Sequence, residues 1–184
     1  QALSTSQVQS VSTTLATNIS TSVLQKLTTT QAQALTSTMV NTFTTGQVQA
    51  LTTNQLNAMG STMLSNLSST NLRALSSTQI SALTSTALAG LSSTQAPLLQ
   101  TAQVRSLSTA QLASLSSQVF GALSSTQIQS LSSTQVSGIS TTMAANMGTD
   151  QLTALTTAQL AYLDTADLQA LSSDQVKALG TDQL

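Results

Sequence analysis

Large apolar residues recur at every eighth position along the whole chain. Stepping by eight from Leu3 to Leu179 meets 17 Leu and six other large apolar residues. Stepping by eight from Val8 to Leu184 meets only Val, Leu, Ile, Ala and Phe. No insertion or deletion interrupts this register. So strict a period is typical of a solenoid, in which each repeat is one structural unit stacked on its neighbours. We therefore predict that residues 1–184 form one continuous array of 23 octads.

The polar positions of the octad predict where a helix begins. We number eight slots from the first apolar residue, so that residues 123–130 read Leu-Ser-Ser-Thr-Gln-Ile-Gln-Ser. Slot three is always Ser or Thr, and slot five is Gln in 14 of the 23 octads. Slots two to five thus read Ser/Thr-x-x-Gln. This is the pattern of a capping box, in which the hydroxyl and the Gln side chain each bond a free backbone N–H at the start of a helix.

These patterns predict an all-α solenoid with one capped helix of about two turns in each octad. Slot six and the following slot one are three residues apart, which places both on one helical face. Helices this short are stable only when they are stacked, and about three octads would complete one superhelical turn. The N-cap is either slot two or slot three. A β-solenoid is the alternative, which Thr and Val favour, whereas Leu, Ala and Gln do not. Pro97, the only Pro, predicts a local distortion of the stack.

A second period appears at slot five, which is apolar in a spaced set of octads. With three octads in each turn, these residues would lie on one side of the array. They either adjust the curvature of the superhelix or form a row that contacts another rod laterally. The members of this possible lateral-contact row are Leu15, Met39, Met63, Ala87, Val119 and Met143.

The charge content excludes several classes of partner. Charged residues make up 5% of the chain and the net charge is −1. The basic residues Lys26, Arg73, Arg105 and Lys177 are scattered, whereas nucleic-acid and membrane-surface sites need clustered Lys and Arg. No apolar run reaches the roughly 18 residues of a membrane-spanning helix. We therefore predict neither a nucleic-acid partner nor a membrane span.

The chain also lacks the side chains that most catalytic and metal sites use. It contains neither His nor Cys, so imidazole bases, thiolate nucleophiles and Cys/His zinc sites are excluded. All five acidic residues are Asp and follow residue 149, but they form no calcium-loop motif. Three of them lie at slot four, where a carboxylate favours a helix start. We predict no enzyme activity, cofactor, metal ion or small-molecule substrate.

The repeated text resembles one class of bacterial protein. Residues 75–82 read Leu-Ser-Ser-Thr-Gln-Ile-Ser-Ala, and residues 155–162 read Leu-Thr-Thr-Ala-Gln-Leu-Ala-Tyr. Such octads resemble the repeat regions of giant bacterial secreted and surface proteins of the adhesin-like and haem-utilisation-like type. The resemblance covers the whole chain and implies an extracellular or cell-surface location. It carries over no haem ligand, since Tyr162 stands alone without His or Cys.

Two functional hypotheses follow. The first is a structural one: a spacer, stalk or filament-forming subunit of a bacterial surface assembly that associates with itself end to end or laterally. The second is a surface-binding module, in which rows of Ser and Thr match ice or a polysaccharide.

Overall fold

The computed structural model describes residues 4–183 and confirms an all-α solenoid of short helices. Leu3 and Leu184, the two ends of the apolar register, lie outside the described residues. The β-solenoid alternative has no support, because residues 4–183 contain no strand. The chain divides into two compact units, Gln1–Gly90 and Leu91–Leu184. The single register of octads runs through both.

The first unit, Gln1–Gly90, consists of one short α-helix per octad. In the longest, Gly60 has φ 71° and ψ −169° and separates two helices that belong to successive octads. This backbone conformation favours glycine because a side chain would be strained there. The described helices of the unit are α1 (Thr5–Gln9), α2 (Thr13–Ala16), α3 (Thr21–Lys26), α4 (Thr29–Gln33), α5 (Ser37–Asn41), α6 (Thr45–Ala50), α7 (Thr53–Asn66), α8 (Ser69–Ala74), α9 (Ser77–Ser81) and α10 (Ser85–Leu88).

The second unit, Leu91–Leu184, opens on the octad that contains Pro97. Its helical segment is a 3₁₀-helix, Ala96–Leu98, so the octad with proline differs from the others in its helix type. The described α-helices that follow are α11 (Thr101–Arg105), α12 (Thr109–Ala113), α13 (Ser117–Gly121), α14 (Ser125–Gln129), α15 (Ser133–Val136), α16 (Thr141–Ala145), α17 (Thr149–Ala154), α18 (Thr157–Leu160), α19 (Thr165–Gln169) and α20 (Ser173–Ala178).

The N-cap is slot two, which decides between the two predicted frames. Ser124, for example, has extended backbone angles, and its side chain accepts a hydrogen bond from the backbone N–H of Gln127. The capping box is complete there, as it is in most octads with Gln at slot five. Apart from α7, the described α-helices are four to six residues long. They are therefore shorter than the predicted two turns, because slot one returns to extended backbone before the next cap.

Within each unit a helix packs on the helix three octads away. In Gln1–Gly90, α1 contacts α4, α2 contacts α5 and α3 contacts α6. In Leu91–Leu184 the same step joins α11 to α14 and continues to α17 with α20. Three octads therefore make about one turn of each solenoid, as predicted.

The core of each unit consists of slots one and six. Slot six is buried in every octad from Val8 to Leu160, and slot one from Leu35 to Leu163. Burying one such Leu or Val side chain contributes roughly 1.5–3 kcal/mol, which is how helices of one turn remain folded. No helix among residues 4–183 has the length and apolar character needed to cross a lipid bilayer.

Candidate functional site

Beside the apolar core of slots one and six, the interior holds a set of buried side-chain amides at slot five. In α14, Gln127 Oε1 accepts from the backbone N–H of Ser124 at 2.7 Å, while the backbone N–H of Gln127 donates to Ser124 Oγ at 3.2 Å. The side chain is only 2% exposed. Half of the carboxamide therefore completes the capping box that the sequence predicts.

The other half of the same carboxamide bonds the preceding turn. Gln127 Nε2 donates to the carbonyl of Ala96 at 3.0 Å and to that of Leu99 at 2.6 Å. These acceptors lie 31 and 28 residues earlier, at slots six and one. Both are carbonyls at the end of a short helix, where few backbone N–H groups of the same helix are left to bond them. One amide thus satisfies its own cap and the end of a helix one turn away.

This contact repeats along both units, and we call it the amide ladder. Each member donates from Nε2 to one or more carbonyls 28–31 residues earlier. Its members include Gln47, Gln55, Gln79, Gln127, Gln135, Gln151, Gln159, Gln175 and Gln183.

The octad pattern predicts these Gln residues as caps but does not predict their hydrogen bonds between turns. One signal in the sequence indicates the second role. A capping box accepts Glu as readily as Gln, yet every acidic residue of the chain is Asp and no Glu occurs. A carboxylate has no hydrogen to give to a carbonyl, whereas an amide has two. The use of Gln rather than Glu at slot five therefore favours a side chain that also donates a hydrogen bond.

Where slot five is not Gln, two Asn side chains of the first unit take over the cap. Asn41 Oδ1 accepts from the backbone N–H of Ser68 at 2.7 Å, and its Nδ2 donates to the carbonyl of Asn66 at 2.7 Å. Asn57 makes the same pair of bonds, at 2.8 Å each, to Thr84 and Ala82.

The caps made by Asn41 and Asn57 occur in octads that lack Gln at slot five. The octads that they cap carry Asn71 and Ala87 in place of Gln, and 41 and 57 are the only slot-seven positions among 4–183 that hold Asn. Asn71 leaves this cap to Asn41 and donates from Nδ2 to the carbonyl of Val40 at 2.6 Å. Asn41 and Asn71 therefore divide between them the two tasks that one Gln performs elsewhere.

Five of the six members of the possible lateral-contact row are buried. Met39, Met63, Ala87, Val119 and Met143 are between 2% and 8% exposed. Slot five faces the preceding turn, so these side chains pack inside their own unit and present no surface to another rod. Leu15 alone is exposed, at 60%, because it belongs to the first turn of its unit.

Four of the five acidic residues lie at helix starts, as the sequence predicts, whereas Asp182 lies in a turn. Asp150 and Asp174 occupy first turns of α17 and α20, and Asp164 is the N-cap of α19. Asp167 takes the slot-five place and is 2% exposed. Burial, and to a smaller extent the charge of Asp164, raise the pKa of Asp167, although the backbone hydrogen bond from Asp164 opposes this. Residues 4–183 contain no group of three or more His, Cys, Asp or Glu side chains that would hold a metal.

The hydroxyl rows are of two kinds. Slot-two hydroxyls accept a backbone N–H of their own helix, as Ser124 and Ser132 do at 3.2 Å. Slot-four hydroxyls such as Thr78, Thr126 and Thr134 are exposed. The second kind, to which exposed slot-three hydroxyls such as that of Ser125 also belong, is available to an external surface.

Comparison with known families supports a repeat protein. The model of the ALTTAQ repeat matches residues 160–184, a range that includes α19 and α20. The six residues Ala-Leu-Thr-Thr-Ala-Gln occur at 154–159 and end on the slot-five Gln159. A search of curated proteins finds no match. The matched octads carry the same slots as those before them, so the chain is a repeat protein built from one octapeptide unit.

Proposed function

We propose that this chain is a structural spacer, a stalk or filament-forming segment of a bacterial surface assembly. The observation that carries the proposal is the amide ladder. Within each unit it joins one turn to the preceding one through buried hydrogen bonds that do not involve the exposed side chains. A contact of this kind repeats without limit on length, which suits a part whose task is to hold other parts at a set distance.

The extracellular location rests on the resemblance to giant secreted and surface proteins and on the composition. Slots three, four and seven provide a polar surface with few charges. Absence of Cys is compatible with that location but does not distinguish it.

Removal of whole turns tests the spacer function. Deleting residues 107–130, three complete octads, preserves the register, so we expect the shortened chain to keep its helical circular dichroism and its cooperative unfolding. Its maximum dimension in small-angle scattering decreases by roughly the 8–10 Å of one packed helix layer. Deleting residues 107–118 removes one and a half octads as the matched control, and it disrupts the ladder. Equal stability of the two deletions, or a compact particle of unchanged dimension, would contradict the spacer proposal.

End-to-end association is the second part of this proposal, with another copy of the chain as the partner. Leu15 and Val23 at slot five of the first turns are 60% and 46% exposed. Leu168 and Val176 at slot six of the last turns are 44% and 40% exposed. Inside each unit, side chains of these two slots are covered by the neighbouring turn. Stacking the last turn of one copy on the first turn of another covers both faces.

Sedimentation velocity measures this association. The wild-type chain is expected to form oligomers that grow with concentration, and the double substitution Leu15→Ser with Val23→Ser reduces them to monomer. Gln25→Ser, at an exposed slot seven of the same region, is the matched control and leaves oligomers unchanged. A wild-type chain that is monomeric at every concentration would refute end-to-end association while leaving the spacer test unaffected.

A surface-binding module remains the second candidate because the slot-four hydroxyls are exposed. Thr78, Thr126 and Thr134 lie at equivalent places in their octads, so their hydroxyls form a regular row. Thermal hysteresis and binding to insoluble polysaccharide measure this candidate directly. Substituting Thr to Val at these slots distinguishes the two candidates. A binding surface loses its thermal hysteresis or polysaccharide binding, whereas a spacer shows neither activity before or after the substitution.

A further inference from the structure

The α19 octad carries a carboxyl group where the amide ladder requires a donor. Asp167 occupies slot five and is 2% exposed. The backbone N–H of Asp164 donates to Asp167 Oδ2 at 3.3 Å, which corresponds to the capping half of a Gln side chain. The carbonyls that a Gln would reach are those of Val136 and Ile139, 31 and 28 residues earlier. An ionised carboxyl accepts hydrogen bonds only and offers nothing to these oxygens.

We propose that Asp167 is a pH-sensitive fastening between two turns of the second unit. When the carboxyl is protonated, its O–H donates to the carbonyl of Val136 and holds α19 on the turn before it. When the proton leaves to solvent, that bond is lost, and the negative charge stays close to carbonyl oxygens. The last turns of the unit are therefore held more tightly in acid than at neutral pH.

An isosteric side chain in the other unit shows that the reach is sufficient. Asn71 has the same number of side-chain heavy atoms as Asp167 and occupies the same slot. Its Nδ2 donates to the carbonyl of Val40 at 2.6 Å, across the same step of 31 residues. A protonated Asp differs from Asn in having O–H where Asn has N–H, so the same bond is open to it.

The surroundings of Asp167 leave one nearby charge to influence it. Asp164, on its own helix, is that charge and acts against ionisation. α16, the helix packed on α19, contains no ionisable side chain, and neither do residues 131–146 as a whole. In the flanking octads, Tyr162, Asp174 and Lys177 are exposed.

Burial of Asp167 therefore determines whether acid stabilises or destabilises the fold. It raises the pKa of Asp167 above the ordinary value of about 3.9, so the folded chain holds this proton more tightly than the unfolded chain. The resulting contribution to stability is fully present below the ordinary value. It is lost as the pH rises through the raised pKa of the folded chain.

Three chains measured side by side test this proposal. Urea unfolding between pH 7 and pH 4 reports stability, and ¹³C-detected NMR of the Asp carboxyls reports ionisation. The wild-type midpoint is expected to rise on acidification, and Asp167→Asn has a higher midpoint at pH 7 and a flatter dependence on pH. Asp174→Asn removes one exposed carboxylate from the next helix as the matched control and keeps the wild-type rise.

Two outcomes would overturn the proposal. One is a dependence on pH in Asp167→Asn that equals that of the wild type. The other is a carboxyl resonance for Asp167 that titrates at or below the ordinary aspartate range. Because Asn fits this slot in the first unit, the variant is expected to fold, and the carboxyl titration of the wild-type chain requires no variant.

Discussion

The octads of α8 and α19 differ at slot five by little more than the exchange of one NH₂ for one oxygen. Asn71 and Asp167 are 1% and 2% exposed. Asn71 bonds the turn before it, through the carbonyl of Val40. Asp167 bonds only its own helix start, through the backbone N–H of Asp164. The comparison teaches that a donor at slot five fastens turns together and that an acceptor there only caps a helix.

The ordinary Gln octad performs both tasks because its side chain is one methylene longer. In the first unit the shorter Asn71 leaves the cap at Ser68 to Asn41, which reaches it from the preceding turn. In the second unit Asp167 keeps the cap and leaves the contact between turns without a donor at neutral pH. The same slot thus produces two different local weaknesses, and each is open to a direct test.

The largest expected loss of stability follows from the different burial of slot six in the α8 and α19 octads. Leu72 of α8 is fully buried, whereas Leu168 of α19 is 44% exposed. Leu72→Ala is expected to cost about 2–5 kcal/mol of unfolding free energy, as deletion of a packed core side chain does. Leu168→Ala is expected to stay within about 0.5 kcal/mol, as surface substitutions do. Urea unfolding measures both, and similar losses would show that the assignment of buried and exposed faces is wrong.

The next largest loss of stability is expected from substitution of Gln at slot five in an ordinary octad, the type with which the α8 and α19 octads are compared. Gln127→Leu removes one bond to the cap and two to the preceding turn. It leaves buried polar groups without partners, at about 1–3 kcal/mol for such a group. Gln129→Lys, two residues later at an exposed slot seven, is the control and is expected to be nearly silent. If Gln127→Leu were equally silent in thermal unfolding, the amide ladder would not stabilise the fold.

Converting the α8 octad into the α19 type sharpens the comparison. Asn71→Asp is expected to lose the bond to Val40 at pH 7 and to cost about 1–3 kcal/mol, the penalty for an unsatisfied buried group. Much of that loss is expected to return on acidification to pH 4, as the carboxyl takes up a proton. Asn54→Asp adds a carboxylate at an exposed first-turn position of α7 and shows no such recovery. Denaturation at the two pH values decides, and a loss independent of pH would contradict the role of the missing proton.

The smallest effect tests the division of tasks between Asn41 and Asn71. Asn41→Ala removes two hydrogen bonds to residues 66 and 68 and is expected to cost about 1 kcal/mol. In a background with Asn71→Gln, the longer amide takes over the cap, so the same change is expected to cost measurably less. A double-mutant cycle gives the coupling, expected at about 0.5 kcal/mol or more. Strict additivity would mean that the two side chains act independently.

Local features of the fold could be predicted from the octad alone. The capping box of Ser124 and Gln127 joins residues three apart, and the apolar pair of slots six and one lies on one short helix. Interactions over so few residues depend on backbone geometry that a single repeat already defines. The all-α class, the buried face and the start of each helix to within one residue therefore follow from the sequence without any knowledge of the stack.

The tertiary structure decided what each slot-five side chain touches. The bonds from Gln127 to Ala96, from Asn71 to Val40 and from Asn41 to Ser68 span 27–31 residues, and no pattern within an octad reveals them. The same stacking buries Met39 and Met63, for which the sequence left open a role in curvature or in contact with another rod. The period of eight determined that turns must stack. Which atoms meet was determined only by the rise and rotation of one turn relative to the next. The rise and rotation depend on packing between octads, which the residues of a single octad do not define.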